Sequence, residues 1–221
     1  MKIKFIPTID EVASFDGIAD QSLFAKEQPV FSSSPEFARE VGGELSKRIL
    51  DSWDWKDGFF NLNLRQKYPI IDTRVQRLMP GMYPSIPGWH CDAVPRPSYD
   101  AQPDLTKIDP EVKHYTALIS TSPDISNTEF VVEPIELELD PSSQVPIWKQ
   151  AHIGIEKNRP KTMFIKPGIL YRFDQLTLHK TSPTLKRGWR MFFRLSMYHN
   201  KPLNQKSGSM QVYLLSEENG W

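Results

Sequence analysis

Cysteine is almost missing from this chain: Cys91 is the only one in 221 residues. A single thiol excludes an intrachain disulfide framework and a thiolate zinc site. Long apolar runs are missing as well. No stretch approaches the length of a membrane span, and Met1-Lys2-Ile3-Lys4-Phe5 has no apolar segment of a secretory leader, so the expectation is a soluble, cytoplasmic protein with no membrane partner. Net charge is zero and no basic run is clustered, which argues against a nucleic-acid groove as the main surface. There is no internal repeat and no low-complexity tract, and nothing specifies an oligomeric state.

Proline, by contrast, is plentiful. Nineteen Pro residues favour many short elements joined by loops over long helices. The length suits one domain, 1–221, divided into a flanking region over 1–72, a core over 73–200 and a C-terminal extension over 201–221. One helix is expected, over 34–52: Ser33 or Ser34 can cap it, Pro35 suits its first turn, and Phe37, Val41, Leu45 and Ile49 recur every four residues. Gly42-Gly43 weakens its middle. Strands are expected over 2–7, 73–79, 89–93, 115–120, 129–139, 162–166, 169–173, 190–198 and 211–215, separated by turn residues. That pattern predicts a mainly β fold, a sandwich or barrel. The stretch from Pro95 to Pro110 lacks periodicity and reads as a loop, either over a site or plain surface.

Charge is unevenly spread. Residues 99–140 hold ten acidic side chains against Lys107 and Lys113, whereas 149–194 hold eleven basic ones against Glu156 and Asp174. The basic half fits solvated faces, or an anionic cosubstrate or substrate.

The chemistry centres on Gly88-Trp89-His90-Cys91-Asp92. On extended backbone, His90 and Asp92 leave the same face and can converge on one point, while Cys91 points the other way and reads as packing. Two ligands need a third, and His179 is the candidate. Two His and one carboxylate with open positions is the ligand set of non-haem iron(II) oxygenases. A strand further on strengthens this. Arg190-Met191-Phe192-Phe193-Arg194-Leu195-Ser196-Met197-Tyr198 alternates between an apolar face and one carrying Arg190, Phe192, Arg194, Ser196 and Tyr198, as a strand lining a polar pocket would. Arg194 and Ser196 can grip one carboxylate there, a task suited to the guanidinium fork.

The order His90-x-Asp92, His179, Arg194-x-Ser196, with the approach Lys166-Pro167-Gly168-Ile169-Leu170-Tyr171-Arg172-Phe173, resembles the iron(II)/2-oxoglutarate-dependent oxygenase superfamily. The resemblance runs from about Thr73 to Asn200. It implies a double-stranded β-helix of the jelly-roll or cupin kind, iron(II) on His90, Asp92 and His179, and the distal carboxylate of 2-oxoglutarate on Arg194 and Ser196. It further implies dioxygen as oxidant and release of succinate and carbon dioxide. The expected reaction is hydroxylation of a small molecule or an amino-acid side chain, with ring closure, desaturation or demethylation as variations. The carboxylate at Asp92 argues against halogenation.

Other residues are assigned around this frame. Arg190 either touches the cosubstrate or a substrate anion, or forms a rim ion pair; Tyr83 and Gln76 are further cosubstrate contacts by resemblance. Arg96 and Trp89, beside the ligands, are expected to meet substrate. Asp174 supports His179 or faces outward. Arg187 reads as solvated, His114, His152 and His199 as surface or packing residues, and Trp53, Trp55, Phe59 and Phe60 as core. Three rival functions stay open: a zinc hydrolase, which lacks a visible Glu base and leaves Arg194 and Ser196 unexplained; a catalytically silent binding module on the same scaffold; and a nucleic-acid-modifying oxygenase.

Overall fold

Proline and glycine cut the chain into short strands, and the computed structural model, which describes residues 1–54, 68–98, 100–125, 128–198 and 206–207, arranges most of them in antiparallel sheets. The strands are β1 (Lys2–Phe5), β2 (Ile9–Ser14), β3 (Val30–Phe31), β4 (Tyr68–Leu78), β5 (Lys113–Ser120), β6 (Thr128–Val131), β7 (Ile135–Glu138), β8 (Thr162–Phe164), β9 (Ile169–Asp174), β10 (His179–Thr181), β11 (Gly188–Tyr198) and β12 (Lys206–Ser207). The larger sheet runs β2-β9-β5-β11-β4 and a smaller one runs β10-β6-β8; β1-β7 and β3-β12 are two-stranded ribbons. No helix is long and apolar enough to cross a membrane among the described residues.

The mainly β expectation holds, and the side-chain period of two explains how the layers form. On β11, Met191, Phe193, Leu195 and Met197 face one way, into a core shared with Ile71, Ala117, Ile119, Leu45 and Ile49. The opposite face, with Phe192, looks onto a second cluster of Leu118, Phe130, Ile165, Tyr171 and Phe173, which joins the larger sheet to the β6–β8 side. The polar positions of β11 therefore face the space between sheets.

Three helices cover the outer face of the larger sheet: α1 (Gln21–Lys26), α2 (Pro35–Val41) and α3 (Glu44–Asp51). The single helix expected over 34–52 is in fact α2 and α3. Ser34 caps α2 by accepting the Phe37 N–H at 3.2 Å, as its sequence suggests. The break falls at Gly42-Gly43, where Gly43 has φ +142 and a Cβ would lie 2.5 Å from Oε2 of Glu27. That carboxylate is buried and accepts the first N–H groups of α3, Leu45 at 2.9 Å and Ser46 at 2.8 Å. The side chain of a distant residue thus supplies the cap that α3 lacks locally.

Three more expectations are corrected. The strand over 129–139 is two, β6 and β7, parted by Pro134, which lacks the N–H a continuous ladder needs. The strand at 89–93 reduces to an isolated bridge at His90. A helix not anticipated, α4 (Ile147–Asn158), begins after Pro146 and buries Ile147, Ala151 and Ile155, a spacing of four that its Gly154 and β-branched residues obscure. The strand at 211–215 lies outside the described residues, as do Trp55, Phe59, Phe60 and His199.

Candidate metal centre

His90 and His179 are brought together by backbone. They form an antiparallel bridge, with His90 N–H donating to the His179 carbonyl at 3.0 Å and His179 N–H donating back at 2.9 Å. Directly opposed residues on an antiparallel pair project to one face, and here the ring centroids are 4.7 Å apart. Each ring is then oriented by its own chain. Nδ1 of His90 lies 2.7 Å from the Gly88 carbonyl, and Nδ1 of His179 lies 3.0 Å from that of Thr177. A carbonyl only accepts, so each Nδ1 is the donor, and in a neutral ring that leaves Nε2 to offer its lone pair. This is how imidazoles are prepared to bind a metal.

Asp92 follows one residue after the bridge, in a turn whose next residue, Ala93, takes φ 55. Gln175 steadies the turn by donating to the Ala93 carbonyl at 2.7 Å. One ligand atom each of His90, Asp92 and His179 lies within 4.8 Å of the other two, and Asp92 Oδ2 is 3.5 Å from His179 Nε2. A divalent first-row ion bound at about 2.1 Å sets neighbouring donors roughly 3 Å apart, so this donor set fits one such ion. Burial, reinforced by His179, lowers the His90 pKa to about 4, which keeps its lone pair available at neutral pH. Burial opposes ionisation of Asp92, but the Arg194 guanidinium and His179 outweigh it and hold that carboxyl well below its usual range.

Arg194 is placed differently from the expected carboxylate grip. Nη1 donates to Asp92 Oδ1 at 2.9 Å and Nη2 to Asp72 Oδ2 at 2.9 Å, so its fork spans two carboxylates. Asp72 is fixed in turn by accepting the Ser32 N–H at 2.9 Å. Ser196 does not share this arrangement, because its hydroxyl lies 2.8 Å from Nδ1 of His114. Arg194 and Ser196, expected to share one carboxylate, thus have different partners here. Asp92 is left with one oxygen tied to Arg194 and the other facing His179.

Arg190 is not the rim ion pair that was one of its two readings. It is 1% exposed, has no carboxylate partner among the described residues, and its hydrogen bond is to Thr128 Oγ1 at 3.5 Å. Its Nε has no partner, and its guanidinium lies 5.4 Å from the Phe192 ring. Burial, with Arg74 nearby, lowers its pKa to about 9. In register with β11 on β4 stand Gln76, Arg74 and Asp72, opposite Arg190, Phe192 and Arg194. Gln76 donates to the Pro84 carbonyl at 3.0 Å and Arg74 to Ser85 Oγ at 2.9 Å, which holds the segment containing the buried Tyr83 against the sheet. The interior face thus carries three guanidiniums against the carboxylates of Asp72 and Asp92.

The remaining expectations divide. Trp89 is buried among Leu105, Leu137 and Ile155, donates its indole N–H to Glu156 at 2.9 Å and lies under Lys180. Its assignment to substrate is corrected, since alternation turns it away from His90's side. Cys91 packs in the same cluster, and burial pushes its thiol pKa well up. Asp174 braces the turn before His179 by accepting the Thr177 hydroxyl at 2.8 Å and the Leu176 N–H at 3.0 Å. Arg187 is exposed and His152 half-buried on α4. Of the two readings of His114 the packing one holds: it is fully buried, its ring 5.2 Å from that of Phe173, and burial lowers its pKa to about 4. Asp72, Arg74 and His114 carried a signal not used. Asp72-x-Arg74-x-Gln76 and His114-x-Thr116 alternate polar side chains along strands that are otherwise apolar, as Arg190 to Ser196 do.

A cleft of about 470 Å³ opens on His90. Arg96 and Gln102 of the 95–110 loop line it, together with Pro146 and Trp148 at the start of α4. That loop therefore borders the site.

No family model and no curated protein matches this chain. Among solved structures it is similar to "Non-heme monooxygenase, ThoJ-Ni complex", at 12% identity and TM-score 0.33, covering 80% of this chain and 75% of that one. It is also similar to EvdMO1, at 12% identity and TM-score 0.35, over 60% of this chain and 27% of that one, so it spans about a quarter of EvdMO1's length.

Proposed function

We propose that this protein is a non-haem iron(II)- and 2-oxoglutarate-dependent oxygenase acting on a small molecule or an amino-acid side chain. The observation that carries the reading is the pair of carbonyl-anchored imidazoles aimed, with Asp92, at one point. His90, His179 and Asp92 Oδ2 would hold the ion, which when bound supplies the redox chemistry that activates dioxygen. Arg194 keeps Asp92 ionised and presents one oxygen of it.

The cosubstrate assignment rests on Arg190. A buried guanidinium is costly without an anion, and this one has none among the described residues. It sits on the interior face of β11, four residues or about 13 Å along the strand from Arg194. In this reading the distal carboxylate pairs with Arg190 and Thr128 while the oxo-acid end meets the metal centre. Phe192, 5.4 Å from the guanidinium, packs with Phe130 and Phe173 on the same interior face.

The test is succinate formation by the purified chain with iron(II), 2-oxoglutarate, ascorbate and oxygen, beside His179→Ala and Arg190→Met. Support would be succinate from the parent, none from His179→Ala, and a much higher 2-oxoglutarate requirement in Arg190→Met. A parent that binds neither iron(II) nor 2-oxoglutarate sinks the reading and leaves a silent scaffold.

A further inference from the structure

The cleft beside His90 is the side from which a substrate can reach the metal centre. Its walls are largely apolar, with Val94, Pro103, Pro146 and the indole of Trp148 lining it. Among the described residues its polar side chains, besides His90, are Gln102 and Arg96, and no carboxylate lines it. Gln102 is committed, because its Oε1 accepts the Ile147 N–H at 2.9 Å and ties the loop to the start of α4. Arg96 is not. It uses one N–H on the Ala101 carbonyl at 2.7 Å, forms no ion pair among the described residues, and keeps the rest of its fork for a ligand.

An apolar cleft with one cation and no anion selects against a positive group and for a negative one. A free amino acid would bring an ammonium that finds no acceptor here, and desolvating it without a partner is unfavourable. A carboxylate would find the guanidinium geometry that suits it. We propose that the substrate is a monoanionic acid with a bulky apolar body, its carboxylate on Arg96 and its body against Trp148, so that a carbon of the body lies over the His90 side of the metal centre. This rests on the oxygenase reading above and narrows it from amino acids to acids without a free amine.

The test uses the full chain loaded with cobalt(II) in place of iron(II) and saturated with 2-oxoglutarate, so that the deep Arg190 subsite is filled. Binding of 3-phenylpropionate, L-phenylalanine, 3-phenylpropan-1-ol and 3-phenylpropylamine is measured calorimetrically, with the cobalt absorption bands as a second readout. The acid should bind about tenfold or more tightly than each of the others and perturb the cobalt bands. Arg96→Gln should abolish the preference, Arg96→Lys should keep most of it, and Trp148→Ala should weaken acid and alcohol alike. The proposal is overturned if no compound binds, if alcohol or amine binds as well as the acid, if the preference survives Arg96→Gln, or if Arg190→Met removes it instead. Failure of the oxygenase reading shows separately, as cobalt bands that do not depend on His179 and no succinate from 2-oxoglutarate.

Discussion

Replacing Arg194 by methionine separates a tie between two carboxylates from a receptor for the cosubstrate. The change keeps much of the side-chain length and removes the charge that Asp72 and Asp92 share. Side-chain exposure is 16% for Asp72 and 15% for Asp92, with Arg194 at 24%, so all three are mostly out of water. Removing one member of a buried ion pair costs about 3–5 kcal/mol, and the residual exposure places this case near 3 kcal/mol. With a urea dependence of about 2 kcal/mol per molar, the midpoint should fall by roughly 1.5 M. The metal-free Arg194→Met protein should still fold, because whole-domain stabilities are about 5–15 kcal/mol. Cobalt(II) should recover much of the loss, since the ion replaces the missing positive charge beside Asp92; at a hundred times its Kd a ligand adds about 2.7 kcal/mol. The assay is urea unfolding followed by fluorescence, with and without cobalt(II). A midpoint shift under about 0.3 M, accompanied by a steep rise in the 2-oxoglutarate requirement, would refute the tie and return Arg194 to the cosubstrate.

Acid should destabilise the protein through its buried histidines. In His114, burial lowers the pKa from 6.5 to about 4, so below pH 6.5 the unfolded chain takes up a proton that the folded one refuses until about pH 4. Stability is therefore greatest above that window and falls through it by about 1.4 kcal/mol per pH unit, and urea midpoints for His114→Gln should fall less steeply than the parent's between pH 6.5 and 4.5. An equal slope would count against the assignment. Asp72→Asn should be milder than Arg194→Met in the same urea assay, because Arg194 keeps Asp92. Gly43→Ala should cost more than about 1 kcal/mol by thermal unfolding, since it strains a positive φ and pushes a Cβ onto the carboxylate that caps α3. Glu27→Gln should also destabilise, because its amide nitrogen would face one of the two α3 N–H groups that the carboxylate accepts.

Periodicity made parts of this molecule legible. The alternation of β11 announced both its apolar face and a polar face turned inward, because side-chain direction on extended backbone follows from position alone, whereas His90, Asp92 and His179 converge through a bridge and a turn. The Ser34 cap of α2 and the weak point at Gly42-Gly43 were likewise local matters. Which groups pair across space was not local. Arg194 meets Asp72 and Asp92 because β4 lies beside β11 in one particular register, and a shift of one residue would have put Asp72 on the opposite face. Among the described residues Arg190 is left without a carboxylate for the same reason, its neighbours in register being Gln76 and Ser120. The sequence by itself determined the residue types, the mainly β pattern and the faces of its strands. Only the tertiary structure decided how the guanidiniums are shared among the carboxylates, because hydrogen bonds between strands distant in sequence, and burial of the charges they enclose, set those pairings.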